Sequence, residues 1–137
     1  MTVEENKERL RVLLRGIEAG DAGAIESCFV PDAQWVIPRT APEPYAGRHT
    51  GRAKIAEMMV GSIDHTFVPD SVDWRPGLMV AEGQVVMAEA NLQAKTPDGR
   101  IYDNFYVFVA EFDPATGRIA ELREHVDTRY AAGFFGG

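Results

Sequence analysis

Between Ile101 and Phe112 the chain alternates with period two, yet it is apolar on both sides. Tyr102, Asn104, Tyr106, Phe108, Ala110 and Phe112 share one face, and Ile101, Phe105, Val107 and Val109 dominate the other. A strand with one wet face alternates apolar with polar residues, so a strand of this kind is expected to be covered twice. Helices in this chain can cover only one side of its sheet. A second copy of the chain is expected on the other side, which predicts a homodimer.

The elements around that strand fix the class of fold. Glu4 to Ala19 has helical spacing, with Leu10, Leu13, Leu14 and Ile17 on one stripe, and Gly20 ends it. Asp21 is a fitting N-cap for a second helix, Ala22 to Phe29. Pro31 and Asp32 break it, Ala33 to Ile37 is a short strand, and Arg39 to Gly51 is a proline- and glycine-rich loop or lid. A third helix runs from about Arg52 to Val60. Strand patterns follow at about Thr66 to Trp74, Leu78 to Ala81, Gln84 to Lys95, Ile101 to Phe112 and Arg118 to Asp127. Thr96-Pro97-Asp98-Gly99 and the Asp113 to Gly117 segment supply turns between the last three. Helices first and an antiparallel meander after them predict an α+β fold: a curved sheet packed against three N-terminal helices. No repeat or linker divides the chain, so residues 1–137 read as one domain.

Composition narrows the partners. The net charge of −7, without a basic stripe, argues against nucleic acid. Cys28 is the sole cysteine, which excludes an intramolecular disulfide and makes a thiolate metal site unexpected. His49, His65 and His125 are scattered without metal-ligand spacing. The charged N-terminus has no apolar run and no segment approaches a membrane span, so cytoplasmic residence is expected. Phosphate loops, dinucleotide fingerprints and nucleophile elbows are absent from the sequence, so no cofactor is expected.

One acid is out of place. From Ile119 to Asp127 the chain again alternates, and Glu124 falls with Ala120, Leu122 and Val126 on the inward side. A carboxylate taken from water without a partner is costly or has its pKa raised, and such acids are often functional. Glu124 is therefore the principal catalytic candidate. The bland alternative is a structural carboxylate held by hydrogen bonds. Asn104 and Tyr106, on a largely apolar face, could orient a ligand oxygen or tie strands together. Trp35, Met58, Met59 and Phe67 are candidate pocket walls or plain core, and His49 sits in the loop that could close the pocket.

Several short patterns then accumulate in order. They are Ala19-Gly20-Asp21, Pro31-Asp32-Ala33-Gln34-Trp35, Gly47 to Gly51, Tyr102-Asp103-Asn104-Phe105-Tyr106, Gly117-Arg118-Ile119 and Arg123 to Thr128. Together they resemble the nuclear transport factor 2-like superfamily, in its SnoaL-like, ketosteroid-isomerase-related branch. The resemblance implies a cone of curved antiparallel sheet closed by three helices, an apolar pocket in its mouth, and dimers across the outer sheet face. The catalytic positions of the steroid isomerases fall on Leu13, Ile37 and near Phe108, all apolar, so ordinary ketosteroid isomerase chemistry is not expected. In the limonene-epoxide-hydrolase relatives an Asp-Arg-Asp set activates water. Glu124 matches one of those acids, the arginine and second aspartate fall on Glu89 and Asn91, and the water-positioning pair falls on Gln34 and Val36.

Glu89 and Asn91 carry a conflict. Alternation in Val85 to Lys95 places them in solvent opposite Val86, Ala88, Ala90, Leu92 and Ala94, whereas the resemblance places them in the cavity. The polar character of a pocket favours the second reading, which makes Glu89 a catalytic partner of Glu124 and Asn91 a substrate ligand. The functional expectation is a cofactor-free acid–base enzyme acting on a small or polycyclic apolar molecule. Isomerisation, cyclisation, dehydration and hydrolysis all fit. The alternative is a non-catalytic binding protein for such a molecule.

Overall fold

The computed structural model describes residues 2–135. Helix α1 (Val3–Ala19) begins where the Thr2 side chain accepts from the Glu5 backbone N–H at 3.1 Å, and it ends at Gly20. Gly20 holds φ at 63°, the left-handed conformation a residue without Cβ adopts freely. Asp21 caps α2 (Ala22–Ser27) through the Ala24 N–H. Leu10, Leu13 and Leu14 are buried at their helical spacing, which lays α1 against the sheet.

Six strands form one sheet in the order β2-β1-β6-β5-β4-β3. They are β1 (Phe29–Ile37), β2 (Gly47–Thr50), β3 (Asp73–Glu82), β4 (Val85–Lys95), β5 (Ile101–Phe112) and β6 (Ile119–Val126). All neighbours are antiparallel except β1 and β6, which run parallel. Helix α3 (Arg52–Asp64) joins α1 and α2 on the inner side. On β4 the inward residues Val86, Ala88, Ala90, Leu92 and Ala94 are buried. Their alternate small side chains leave room for α1 to pack closely.

Four boundaries depart from the expectation. β1 starts at Phe29 and carries Pro31 and Asp32 through a register shift between Phe29 and Gln34, so the proline interrupts pairing without ending the strand. The segment expected to be wholly loop contains β2, too short at Gly47–Thr50 to show a period. Pro76 and Gly77 do not separate two strands: β3 runs on past them by shifting register before Met79. The expected strand from Thr66 instead opens with a 3-10 turn, Pro69–Ser71, before β3 begins at Asp73.

A fourth α-helix, α4 (Thr128–Phe134), was not foreseen beside the expected three. Asp127 caps it by accepting from the Tyr130 N–H at 3.0 Å, and Arg100 donates to the Phe134 carbonyl at 2.7 Å. The Arg100 guanidinium also lies 4.6 Å from the centre of the Phe134 ring. Among the described residues no helix is long and apolar enough to cross a membrane.

The outer sheet face has two halves. Toward β2, β1 and β6 it is ionic: Arg48 donates to Gln34 and Glu121, and Arg123 to Glu121 and Glu111. Toward β3, β4 and β5 it exposes large apolar side chains, Leu78, Val80, Met87, Ile101 and Phe105, the last to 70%, next to Arg75 and Glu89.

Candidate functional site

Within the curve of the sheet lies a cavity of about 220 Å³. Every strand but β2 reaches it, through Trp35 on β1, Trp74 on β3, Leu92 on β4, Phe108 on β5 and Glu124 on β6. Ile17 of α1, Met59 and Ile63 of α3 and Ala131 of α4 close the helical side, and Pro42, Glu43 and Tyr45 of the 38–46 loop form the rim. Among the described residues, the only charged side chains in this wall are Glu43, exposed at the rim, and Glu124, and none is a lysine, arginine or histidine.

Strand register places Glu124. It pairs across β5 and β6 with Phe108, and alternation turns both inward. Glu124 borders the cavity and is half-buried. Its Oε1 accepts one hydrogen bond, from the Trp35 indole N–H at 3.3 Å. Loss of water around the charged form pushes its pKa up to about 7, and the indole bond offsets part of that rise. Near neutral pH the group can therefore give or take a proton.

Beside it stand two phenols, Tyr106, expected from the sequence, and Tyr102, which was not. Tyr102 and Tyr106, four residues apart on one face of β5, have their hydroxyls 2.8 Å from each other. The Asn104 amide donates to the Tyr102 oxygen at 2.8 Å and to the Asp127 carbonyl at 3.1 Å, and its own oxygen accepts from the Phe105 N–H at 2.8 Å. Two hydroxyl hydrogens serve one bond between the tyrosines, so one O–H is left to donate elsewhere. Burial raises the pKa of both phenols, well above the usual tyrosine value for Tyr106, and the nearby Glu124 charge adds to the rise. Both stay protonated donors at neutral pH.

Asn104 itself is buried at 2% exposure, lies outside the cavity wall and is fully engaged. Its place is to hold the tyrosine pair, not to touch ligand. Asn104→Ala strips partners from several buried polar groups. It is expected to lower the unfolding free energy by about 2 kcal/mol in urea denaturation.

The remaining expected residues divide by position. Trp35 and Tyr106 line the cavity, as do Met59 and Phe67. Met58 does not; one helical step from Met59, it is turned away from the wall and half-buried. His49 is buried on β2 and also outside the wall. Its Nε2 lies 2.6 Å from the Tyr45 carbonyl, which can only accept, so Nε2 carries the proton and His49 anchors the rim loop. His65 and His125 are exposed.

Glu89 and Asn91 do not face the cavity, and this corrects the placement taken from the resemblance. They lie on the outer face in a separate open groove with Arg75 and His125, and Asn91 donates to Asp103 at 2.7 Å. The cause is the alternation of β4, whose inward set is Val86 to Ala94. Gln34 pairs with Arg48 on the outer, ionic side of β1. Of the three positions matching the steroid isomerase residues, Leu13 is core, and Ile37 and Phe108 are apolar parts of the wall. Trp74, also missed, packs edge-on against Tyr106 at 4.9 Å and Phe108 at 5.5 Å, and its buried indole N–H has no partner.

A cone-shaped sheet with helices on one side and a pocket within matches the known SnoaL-like domain over residues 10–122, and the chain belongs to that family. Solved structures of similar fold include TerC co-crystallised with polyporic acid, 17% identical with a TM-score of 0.82 over 97% of this chain and 99% of that one. A protein from Bacillus subtilis, provisionally named an isomerase, is 23% identical with a TM-score of 0.78 over 100% of this chain and 97% of its own. A protein from Shewanella denitrificans, provisionally named a SnoaL-like polyketide cyclase, is 16% identical with a TM-score of 0.77 over 96% of each chain. No curated protein matches the chain. At these identities the likeness establishes the fold alone.

Proposed function

We propose that residues 1–137 form one SnoaL-like domain that acts as a cofactor-free acid–base enzyme on a small apolar molecule. The observation that carries this is Glu124: a carboxyl with a pKa of about 7, in an apolar cavity, beside a tyrosine pair with an O–H to donate. In the reaction these groups suit, the Glu124 carboxylate removes a proton from a carbon next to a carbonyl. The phenol O–H stabilises the oxygen that gains charge. The glutamic acid then returns the proton to another carbon, which completes an isomerisation, or to a leaving hydroxyl, which completes a dehydration. Carbon–carbon closure of the same enolate would be a cyclisation.

The alternative of a non-catalytic binding protein is favoured by one observation. Ile37 and Phe108, where the steroid isomerases carry acids, only fill the wall here. A screen of small cyclic ketones in D₂O, followed by NMR, separates the two. Catalysis predicts deuterium exchange at acidic carbons, abolished in Glu124→Gln. Binding without exchange in the wild type overturns the enzymatic reading.

The same proposal includes a homodimer through the apolar half of the outer face. The exposed Leu78, Val80, Met87, Ile101 and Phe105 can meet their own copies under two-fold symmetry, with Arg75 and Glu89 beside them free to pair across the axis. Phe105→Glu places a charge at the centre of that patch. It is expected to sediment as a 15.1 kDa monomer where the wild type sediments at twice that mass. A monomeric wild type would refute the dimer.

A further inference from the structure

An apolar cavity with a single carboxyl facing it calls for an account of what neutralises that carboxyl when it ionises. Elsewhere in the chain acids meet bases: Glu121 has Arg48 and Arg123, and Asp98 has Arg100. Among the described residues Glu124 has only the uncharged Trp35 indole as hydrogen-bond partner, and no basic side chain reaches the wall. What does surround it is aromatic. Phe108 is its cross-strand partner, Tyr106 lies nearly parallel to Phe108 at 5.9 Å, and Trp74 stands edge-on to both. Aromatic faces attract positive charge, and they do so most strongly where water is excluded. The only other charged group of the wall, Glu43 at the rim, is also acidic, and the net charge of −7 draws cations inward rather than anions.

We propose that this cavity selects small organic cations: an ammonium or iminium centre seated among Trp74, Tyr106 and Phe108 with Glu124 as its counter-charge. The inference shares Glu124 with the acid–base reading and adds the charge and size of the ligand. A cavity of about 220 Å³ suits a one- or two-ring molecule. For a carbon acid, a positive nitrogen next to the reacting carbon would also lower the barrier to the proton transfer assigned to Glu124.

The cation competes with the proton for Glu124, which gives the proposal a signature. A neutral ligand is indifferent to that ionisation, but a cation requires the carboxylate. With the Glu124 pKa at about 7, cation affinity should be highest above pH 7 and fall about tenfold for each pH unit below it. The other titratable groups in the wall are Glu43 and Tyr45 from the rim loop and Tyr102 and Tyr106 from β5; α1, α3 and α4 bring none. The raised Tyr102, Tyr106 and Tyr45 values keep those phenols neutral throughout this range.

The test compares phenyltrimethylammonium with its uncharged isostere tert-butylbenzene on the full chain, by ligand-observed NMR at pH 8.5 and pH 5.5. The expected result is a preference for the cation of at least about tenfold at pH 8.5, lost at pH 5.5 and lost at both pH values in Glu124→Gln. Binding of the isostere by the variant confirms that its cavity is intact. A cation that binds no better than the isostere at pH 8.5, or binding of neither probe, overturns the inference. Deuterium exchange by the wild type that is lost in Glu124→Gln would leave the acid–base reading standing in that event. Conversely, pH-dependent cation binding with no exchange on any ketone would sustain the inference and remove that reading.

Discussion

Glu124→Gln is expected to lower turnover of an exchanging substrate by about two to four orders of magnitude, the usual contribution of a positioned acid or base. Glutamine keeps the size and can still accept from the Trp35 indole, so the shape of the wall survives while the proton acceptor is removed. For an uncharged ketone the loss should fall on kcat, with KM nearly unchanged, because the amide still fills its place against Phe108; for a cationic substrate KM rises as well, because its counter-charge is gone. In the wild type, the rate of a base-catalysed step should rise with pH and level off above about 7, where Glu124 is ionised. Stopped or steady-state rates from pH 5 to pH 9 measure both effects. A variant with unchanged kcat, or a wild-type profile without that limb, would contradict the role given to Glu124.

Removing a phenol tests the second half of the site more gently. Either hydroxyl of the Tyr102–Tyr106 pair can be the donor, so losing one leaves the other free to reorganise. The arrangement thus concentrates the chemistry on one carboxyl, which is why the largest consequences all pass through residue 124.

The sequence makes some of this legible and hides the rest for physical reasons. Alternation states which face of a strand a side chain occupies. It therefore puts Glu124 inward with Leu122 and Val126, and it puts Glu89 outward with Met87, as the structure has them. The family resemblance, which implies Glu89 and Asn91 in the cavity, fails at β4, where the alternation holds and both lie on the outer face. Alternation is silent, however, about depth. Asn104 and Tyr106 share a face, but the amide sits behind the wall and the phenol within it.

Nor does local pattern reveal a wall assembled from Ile17 to Phe135 across five strands and three helices. Tyr102 could have been found, since it lies four residues before Tyr106 on the same face. The capping signal for α4 was also present in Asp127, whose carboxylate serves the Tyr130 N–H. The prolines and glycines of 39–51 mark a loop or a lid, but the role of His49 as an anchor of the rim depends on a carbonyl four residues away, which no spacing rule reports.

The same substitution that removes activity should stabilise the protein at alkaline pH. Glu124 has its pKa raised from 4.5 to about 7 on folding, so between those values the folded state binds a proton that the unfolded state has released. Stability is then highest below about 4.5 as far as this group is concerned, falls as pH rises, and reaches its lower level above about 7. The difference between the two values corresponds to about 3 kcal/mol. A neutral glutamine does not bear that penalty. Chemical denaturation at pH 5 and pH 8.5 should show Glu124→Gln gaining up to about 3 kcal/mol relative to wild type at the higher pH and little at the lower. A carboxylate settled in a structural role, with its hydrogen bonds complete, would give the opposite sign: loss on replacement, and more loss at high pH. The sign of that pH-dependent difference separates a group held ready for proton transfer from one that braces the fold, and it does so without knowledge of the substrate.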